Sequence, residues 1–203
     1  MPDLPLVVAM TGASGAPYAV RLIQVLRQAG KTVHFTFSPS AAQVLHEETG
    51  LSLDPSRFDH SVFGAENSGK LIYHHHADFR AGIASGSFVT GGMVVCPCSM
   101  STLGAIAHGI TTNLVTRAAD VHLKERRKLI LVPRETPLSL IHLENMAAVT
   151  RAGAVVMPAM PGWYHRPKSL EDLVDFLVGR ICDQLGLGND LMKRWGGAEN
   201  TQT

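Results

Sequence analysis

The stretch LPLVVAMTGASG, residues 4–15, decides the fold of this chain. Leu4 to Met10 is an almost continuous apolar run, which is typical of a strand buried on both faces of a parallel sheet. A glycine-rich turn follows at once, and residues 16–29 continue with the spacing of a helix that Gly30 ends. A buried strand, a tight turn and an amphipathic helix indicate the first unit of an open α/β fold.

The same alternation runs through the rest of the chain. Further strands are predicted at 32–37, 93–96, 129–132 and 154–157, with a possible extra strand at 70–74. Helices are predicted at 40–48, 101–108, 114–125 and 139–152, and after an N-cap at Ser169. This order implies a parallel sheet with right-handed crossovers and helices on both faces. We therefore predict one Rossmann-like (flavodoxin-like) α/β domain over residues 1–203, interrupted by an irregular excursion at 50–91.

Composition excludes several classes of protein. The chain has 203 residues, is 45% hydrophobic and carries a formal net charge of +1. These values exclude a disordered chain and imply no global field for nucleic acid or a membrane surface. The cysteines are odd in number, and no stretch has the length of a membrane span or the pattern of a signal peptide. A cytoplasmic protein is expected.

Polar turns follow most of the predicted strands, at 11–15, 38–40, 96–99 and 133–135. In an open parallel sheet, ligands bind beyond the carboxyl ends of the strands. Glycines and small hydroxyl groups suit a phosphate, and we expect the helix after residue 15 to offer it free N–H groups. Ser38 stands where an NAD-binding fold prefers an acidic residue, which argues against NAD. A tight turn without a ligand is the alternative.

Two patterns suggest a metal, and we predict that neither binds one. Cys96 and Cys98 have no second cysteine pair, so buried thiols are the better interpretation. The run His74 to His76 has no cysteine partner nearby, and a solvated loop is expected there.

Cationic and acidic side chains complete the candidate site. Arg117 and Lys124 are seven residues apart on one predicted helix, so both can face one phosphate. Arg134 can bind an anion, and the adjacent Glu135 can move a proton. A surface ion pair is the alternative for these two residues.

Six segments together resemble the UbiX-type flavin prenyltransferases. They are TGASGA (11–16), CPCSMSTL (96–103), NLVTRAADVHLKERR (113–127), LVPRETPL (131–138), IHLENM (141–146) and PGWYHRP (161–167). The similarity covers essentially the whole chain except about 52–90. It implies a metal-independent transferase that joins the dimethylallyl group of dimethylallyl phosphate to N5 and C6 of reduced FMN. The product, prenylated FMN, would serve a UbiD-type decarboxylase, as in ubiquinone biosynthesis.

The resemblance also implies roles for individual residues. FMN would be bound by Gly12, Ala13, Ser14, Ser38, Ser99, Ser101, Thr102 and Arg134. Dimethylallyl phosphate would be bound by Tyr164 and Arg180, and by Arg117 and Lys124 of a neighbouring subunit. Catalytic roles would fall to Glu135, Glu48, Ser14 and Trp195, with Glu135 or the released phosphate as the proton acceptor. The family forms homododecamers with active sites at subunit junctions.

Two other functions remain as alternatives. One is an FMN-dependent decarboxylase of the phosphopantothenoylcysteine decarboxylase type, which needs a histidine that neither His34 nor His46 supplies in the expected context. The other is a non-catalytic flavin carrier, for which Arg117, Lys124 and Arg180 would be superfluous.

Overall fold

A computed structural model of the protein describes residues 4–64, 69–192 and 194. Its strands are β1 (Leu6–Met10), β2 (Val33–Phe37), β3 (Leu71–Tyr73), β4 (Gly92–Cys98), β5 (Leu129–Pro133) and β6 (Val155–Val156). Its α-helices are α1 (Ala16–Gln28), α2 (Pro39–Thr49), α3 (Met100–Ala107), α4 (Leu114–Lys124), α5 (Leu140–Ala152) and α6 (Leu170–Leu185). Single 3₁₀ turns lie at His60–Phe63 and Gly82–Ala84.

The six strands form one parallel sheet in the order β3-β2-β1-β4-β5-β6. The predicted α/β fold is confirmed, and the possible strand near residue 70 is the edge strand β3. The chain leaves β1 toward β2 on one side and returns to β4 on the other, so the order reverses between β1 and β4. Such a switch point opens a crevice at the carboxyl ends of the strands.

The direction of each crossover determines where the helices lie. Right-handed connections place helices on opposite faces when the strand order runs in opposite directions. Accordingly, α1 packs on α2, whereas α3 packs on α4 and α5. All residues of β1, β2, β4 and β5 are buried, as a sheet covered on both faces requires.

Polar side chains cap the first turns of α2, α3, α4 and α6. The side chains of Asn113 and Ser169 accept hydrogen bonds from the third residues of α4 and α6, in capping boxes. The side chains of Ser38 and Ser99 likewise accept from the N–H groups of the third residues of α2 and α3. These caps place hydroxyl groups where the strands end.

Contacts within the chain divide it into two compact units, Met1–Ala159 and Met160–Thr203. The first contains the sheet with α1 to α5, and the second contains α6. Among the described residues, no helix combines the length and the apolar character that crossing a membrane requires.

Candidate functional site

Thr11 joins the turns that follow β1 and β4. Its N–H and its hydroxyl both donate to the carbonyl oxygen of Pro97, at 3.1 and 3.0 Å. Its Oγ1 also accepts from the N–H of Ser99 at 2.7 Å. Thr11 is 2% exposed, so this link is shielded from water. The sequence motif contained Thr11, but its local pattern had no signal for a partner 86 residues away.

Gly12 joins the turns that follow β1 and β2. A Cβ atom added at Gly12 would lie 2.5 Å from the Oγ of Ser40, closer than side chains approach. The absent side chain lets the first turn lie against the start of α2. There the Oγ atoms of Ser38 and Ser40 are 2.9 Å apart. Ser40 was not among the predicted site residues, although it belongs to the same polar turn.

A cluster of hydroxyl groups opens α3. The Oγ of Ser99 lies 3.1 Å from the Oγ of Ser101 and 3.0 Å from the Oγ1 of Thr102. Ser99 Oγ also accepts from the N–H of Thr102 at 3.3 Å. The first N–H groups of a helix have no acceptor within the helix. The start of α3 therefore combines hydroxyl and N–H donors with the positive end of the helix dipole, as a phosphate group needs.

The start of α1 differs from expectation. The carboxylate of Glu48 on α2 accepts from the N–H of Gly15 at 2.9 Å and from that of Ala16 at 2.8 Å. Pro17 has no N–H, and the N–H of Tyr18 donates to the carbonyl oxygen of Gly15. The expectation that α1 offers free N–H groups to a phosphate is wrong, because an acidic side chain of this protein already fills that place.

The other residues of the first turn lie close to this cap. Ala13 is buried, and its N–H donates to the carbonyl oxygen of Thr11 at 2.9 Å. Ser14 is half-buried directly before Gly15. Burial raises the pKa of Tyr18, and the adjacent Cys96 and Glu48 act in the same direction. Tyr18 is thus neutral in the physiological range.

The cysteines below these turns are inert. Cys96 and Cys98 are fully buried and unpaired. Burial raises the pKa of the Cys98 thiol to about 12, and burial together with Cys98 raises the pKa of Cys96. The prediction of buried thiols is confirmed. No group of three or more histidine, cysteine or acidic side chains in the described part of the chain is placed to hold a metal ion.

Arg134 and Glu135 extend from the end of β5. Pro133 pairs in register with Cys98, so the two residues leave the sheet beside the Ser99 cluster. Both side chains are exposed, and a Glu135 carboxylate oxygen accepts only a local hydrogen bond, from the N–H of Thr136 at 3.1 Å. No contact joins the two side chains, so the surface ion pair considered from the sequence does not form between them in the described residues.

Arg117 and Lys124 lie on α4 and contact the same loop. Arg117 donates through Nε to the carbonyl oxygen of Ala84 at 3.1 Å and through NH1 to Asp120 at 3.1 Å. Lys124 Nζ lies 3.1 Å from Glu125 Oε1, and a Cβ at Gly86 would be 3.2 Å from that Nζ. The two cations therefore share one side of the helix, as their spacing predicts.

The second unit carries Tyr164 and Arg180. Tyr164 is 47% exposed and lies among aromatic rings. Arg180 NH1 donates to Asp183 at 2.9 Å, and Arg194 donates to the same carboxylate at 2.8 Å. The hydrogen bond from Arg194 and the charges of both guanidinium groups lower the pKa of Asp183. Trp195, for which the resemblance implies a catalytic role, lies outside the described residues.

The histidine run differs from a solvated loop. His74 Nε2 lies 2.7 Å from Nδ1 of His34 on β2, and the two rings stack at 5.0 Å. Burial lowers the pKa of His34 to about 4 and also lowers that of His74. His75 is exposed as expected, whereas His74 links β2 to the segment after β3.

These residues fit a phosphorylated ligand. The turns after β1, β2, β4 and β5 meet at one edge of the sheet, two of them joined by Thr11 and two by Gly12. Hydroxyl groups of Ser38, Ser99, Ser101 and Thr102 and the exposed guanidinium of Arg134 line that edge. The fold and the site define an open α/β protein with a nucleotide-type site at the switch point of its sheet.

Comparison with known proteins gives the family. The Flavoprotein family profile matches residues 1–182. The flavin prenyltransferase UbiX of Alkalihalophilus pseudofirmus is 50% identical over 190 residues, which cover 93% of this chain and 94% of the relative. The chain therefore belongs to the Flavoprotein family and, within it, to the UbiX flavin prenyltransferases.

Solved structures agree with this assignment. A crystal structure of AnUbiX (PadA1) in complex with FMN and dimethylallyl pyrophosphate has a TM-score of 0.86 and 43% identity, covering 97% of this chain and 100% of that chain. The crystal structure of the dodecameric FMN-dependent UbiX-like decarboxylase from Escherichia coli O157:H7 has a TM-score of 0.85 and 45% identity. The match covers 96% of this chain and 100% of that chain.

Proposed function

We propose that this chain transfers the dimethylallyl group of dimethylallyl phosphate to reduced FMN and releases prenylated FMN and phosphate. Reduced FMN, when bound, supplies the nucleophilic N5 and C6 atoms. The observation that carries the proposal is the meeting of the hydroxyl-bearing turns and Arg134 at one sheet edge, in a chain 50% identical to a flavin prenyltransferase. The complex of AnUbiX with FMN and a dimethylallyl ester supports it.

The first unit would hold FMN. Ser99, Ser101 and Thr102 at the start of α3 offer donors to its phosphate, together with Ser38. Gly12, Ala13 and Ser14 form the turn against which the flavin ring would lie, and the absent Cβ of Gly12 lets that turn pack closely against Ser40 at the start of α2. Arg134 provides the charge for an anionic group at the edge of β5.

Cationic residues would hold the prenyl donor. When the allylic C–O bond breaks, the electron pair leaves with the phosphate, and positive charge develops on carbon. Tyr164 and Arg180, with Arg117 and Lys124 of a neighbouring subunit, would stabilise the phosphate as its charge grows. Arg117 and Lys124 face one side of α4, which supports their joint action. The face of Trp195 would stabilise the allylic cation.

Ring closure would bond C6 of the flavin to the tertiary carbon of the prenyl group, with the neighbouring alkene carbon gaining a proton and C6 losing one, so that no net proton is released. Glu135 is exposed beside the Ser99 cluster and holds only a local backbone contact, so its carboxylate is available to accept the proton from C6. The released phosphate is the other candidate acceptor. The Glu48 carboxylate accepts hydrogen bonds from the N–H groups of Gly15 and Ala16, the two residues after Ser14. Any catalytic action of Glu48 would therefore take place beside the Ser14 hydroxyl.

The proposal also covers the assembly, the use of the product and the location of the protein. The assembly would be a homododecamer, as in the related Escherichia coli protein. The product would pass to a UbiD-type decarboxylase that uses prenylated FMN. Residues 1–203 would act as one flavoprotein domain. The protein would be cytoplasmic, since thiols stay reduced in the cytoplasm and the three cysteines are unpaired.

The test is anaerobic turnover followed by mass analysis of the flavin. Purified protein with reduced FMN and dimethylallyl phosphate should yield a flavin heavier by one five-carbon unit. Dimethylallyl diphosphate in a parallel reaction determines which ester is preferred. A flavin of unchanged mass, in protein that binds FMN, would reject the proposal.

The decarboxylase alternative has less support from the described residues. Nδ1 of His34 lies within hydrogen-bond distance of Nε2 of His74. His46 is exposed on α2, with its Nδ1 3.2 Å from the Oγ of Ser52. His34 is the second residue of β2, so it lies away from the carboxyl ends of the strands. Carbon dioxide released from a cysteine-type carboxylate, without a change in flavin mass, would favour that alternative.

A further inference from the structure

A strained turn presents two rings side by side in the second unit. The N–H of Arg166 donates to the carbonyl oxygen of Trp163 at 3.0 Å, which closes a turn of four residues. Arg166 has φ of 54°, a left-handed conformation that a residue with a side chain rarely adopts. Such strain persists where the surroundings fix it and is frequent at ligand sites. The central positions of this turn are Tyr164 and His165.

Both rings lie against Phe176 of α6. The His165 ring stacks on the Phe176 ring with centroids 4.9 Å apart and planes at 9°. The Tyr164 ring meets Phe176 edge-on, at 5.6 Å and 78°, and meets His165 at 5.8 Å and 81°. These are the arrangements that aromatic pairs prefer. Phe176 is 8% exposed, so it is a buried support for a tyrosine that reaches solvent.

Gly162 completes the support. A Cβ added there would lie 3.1 Å from Cζ of Phe176 and 3.2 Å from Cε1 of Tyr164. Contacts this short require one of the rings to move. The glycine therefore lets both rings lie directly on the backbone, and it does so without a left-handed φ of its own.

The same helix carries Arg180 one turn further on. Phe176 and Arg180 are four residues apart on α6, so their side chains lie on one face in successive turns. The ring support and the cation thus share a rigid element. The contact with Phe176 therefore fixes the position of the Tyr164 ring relative to the helix that carries Arg180.

We infer that Gly162, His165 and Phe176 are positioning residues that hold Tyr164 for the phosphate of the prenyl donor. This inference rests on the proposed function, which assigns Tyr164 and Arg180 to that phosphate. The three residues act through Tyr164 and do not touch the substrate.

The His165 ring packs against its neighbours without using its two nitrogen atoms. Its Nδ1 and Nε2 atoms are buried, and neither has a hydrogen-bond partner among the described residues. The ring therefore contributes its flat shape and not a proton or a donor. Phenylalanine offers the same flat face, so His165→Phe should preserve the function of the ring, whereas His165→Ala should not.

The experiment compares five variants with the parent enzyme. Gly162→Ala, His165→Ala and Phe176→Leu each disturb the support, whereas His165→Phe keeps the stack. Gly188→Ala is the matched control, since it adds the same methyl group in the same unit where no atom lies within 4 Å. Two quantities are measured for each protein: the KM and kcat for dimethylallyl phosphate, and the Kd of that ester by calorimetry with oxidised FMN present, where no transfer occurs.

The three disturbing variants should raise both the KM and the Kd about 3- to 10-fold, the equivalent of one aromatic contact. Their kcat and FMN affinity should stay near the parent values, a split that general unfolding would not produce. His165→Phe and Gly188→Ala should match the parent. Loss of affinity in His165→Phe equal to that in His165→Ala would overturn the inference, because the nitrogens would then matter. Unchanged KM and Kd in all the variants would overturn it as well.

The outcome separates this inference from the proposed function. A parent protein that binds the ester but never prenylates FMN rejects the function, and the Kd pattern still decides the positioning role. A parent protein that prenylates FMN with variants at parent affinity rejects the positioning role alone. A parent protein that does not bind the ester rejects both.

Discussion

At the residue scale, the carboxylate of Glu48 takes the place expected for an external anion. It caps α1 from 32 residues away, through the N–H groups of Gly15 and Ala16. A negative group at a helix start is favoured by the orphan N–H groups and the helix dipole. The contact fixes the end of the turn that carries Ser14, so the loop is ordered before any ligand arrives.

Removing this cap should cost stability. We expect Glu48→Ala to lower the free energy of unfolding by about 1 kcal/mol, the usual value of a helix cap, and Glu48→Gln to lower it less because the amide oxygen still accepts. Urea denaturation measures the difference. Glu47→Ala is the control, since Glu47 is the exposed neighbour on the same helix. Equal midpoints for the two alanine variants would show that the cap has no energetic role.

Glu135 is the residue whose loss should slow chemistry without loss of binding. In Glu135→Gln the shape remains, but the group no longer accepts a proton, so turnover should fall by about 100-fold or more. FMN affinity, read from the quenching of flavin fluorescence, should not change. Glu144→Gln, an exposed position on α5, is the matched control. Turnover at the parent rate would leave the released phosphate as the acceptor.

At the element scale, a pair of histidines joins strand β2 to the segment after β3. His34 is 8% exposed, with the Phe88 ring edge-on at 5.0 Å and His74 stacked upon it. Burial and the nearby His74 lower the pKa of His34 to about 4. Burial also lowers the pKa of His74, although Asp78 opposes this effect. The edge of the sheet therefore depends on histidines that are neutral.

This pair predicts the direction of a pH effect on stability. Between the unfolded pKa of about 6.5 and the folded pKa of about 4, the unfolded chain binds more protons than the folded protein. Stability should be complete above pH 6.5 and should fall by about 1–3 kcal/mol as the pH drops toward 4.

Urea denaturation at several pH values measures the loss. His34→Gln should show a shallower loss of stability between pH 6.5 and 4, because one titrating group is gone. His46→Gln, at an exposed histidine of α2, should keep the parent slope. A parent slope in His34→Gln would exclude His34 as the source.

At the scale of the whole molecule, the start of α5 is notable for its apolar surface. Leu140 and Ile141 are 70% and 67% exposed, and Leu143 is 49% exposed. Large exposed apolar groups in one turn are a frequent mark of protein contact. Four residues separate them from Glu135, so a subunit contact here would lie near the proposed active site.

The proposed dodecamer makes this surface testable. We expect Ile141→Lys to reduce the particle mass from twelve subunits to a smaller assembly, because a charge would be buried at the contact. Light scattering measures the mass, and circular dichroism checks that the fold is kept. Arg151→Glu, at the other end of α5, should leave the assembly intact. A parent mass for Ile141→Lys would place the subunit contacts elsewhere.

Local patterns in the sequence were sufficient for the alternation of strands and helices and for the cap at Ser169, because each depends on residues within a few positions. They also located the hydroxyl-bearing turns, since these end buried strands. The family resemblance added the expected roles of Tyr164 and Arg180, which no local pattern could assign.

Only the tertiary structure decided which distant residues meet. Thr11 binds Pro97, Gly12 lies against Ser40, Glu48 caps α1, and His34 pairs with His74. Each contact joins residues on different elements and depends on which strands are neighbours and in what register. Strand order is a property of the whole sheet, so no short stretch of sequence contains it.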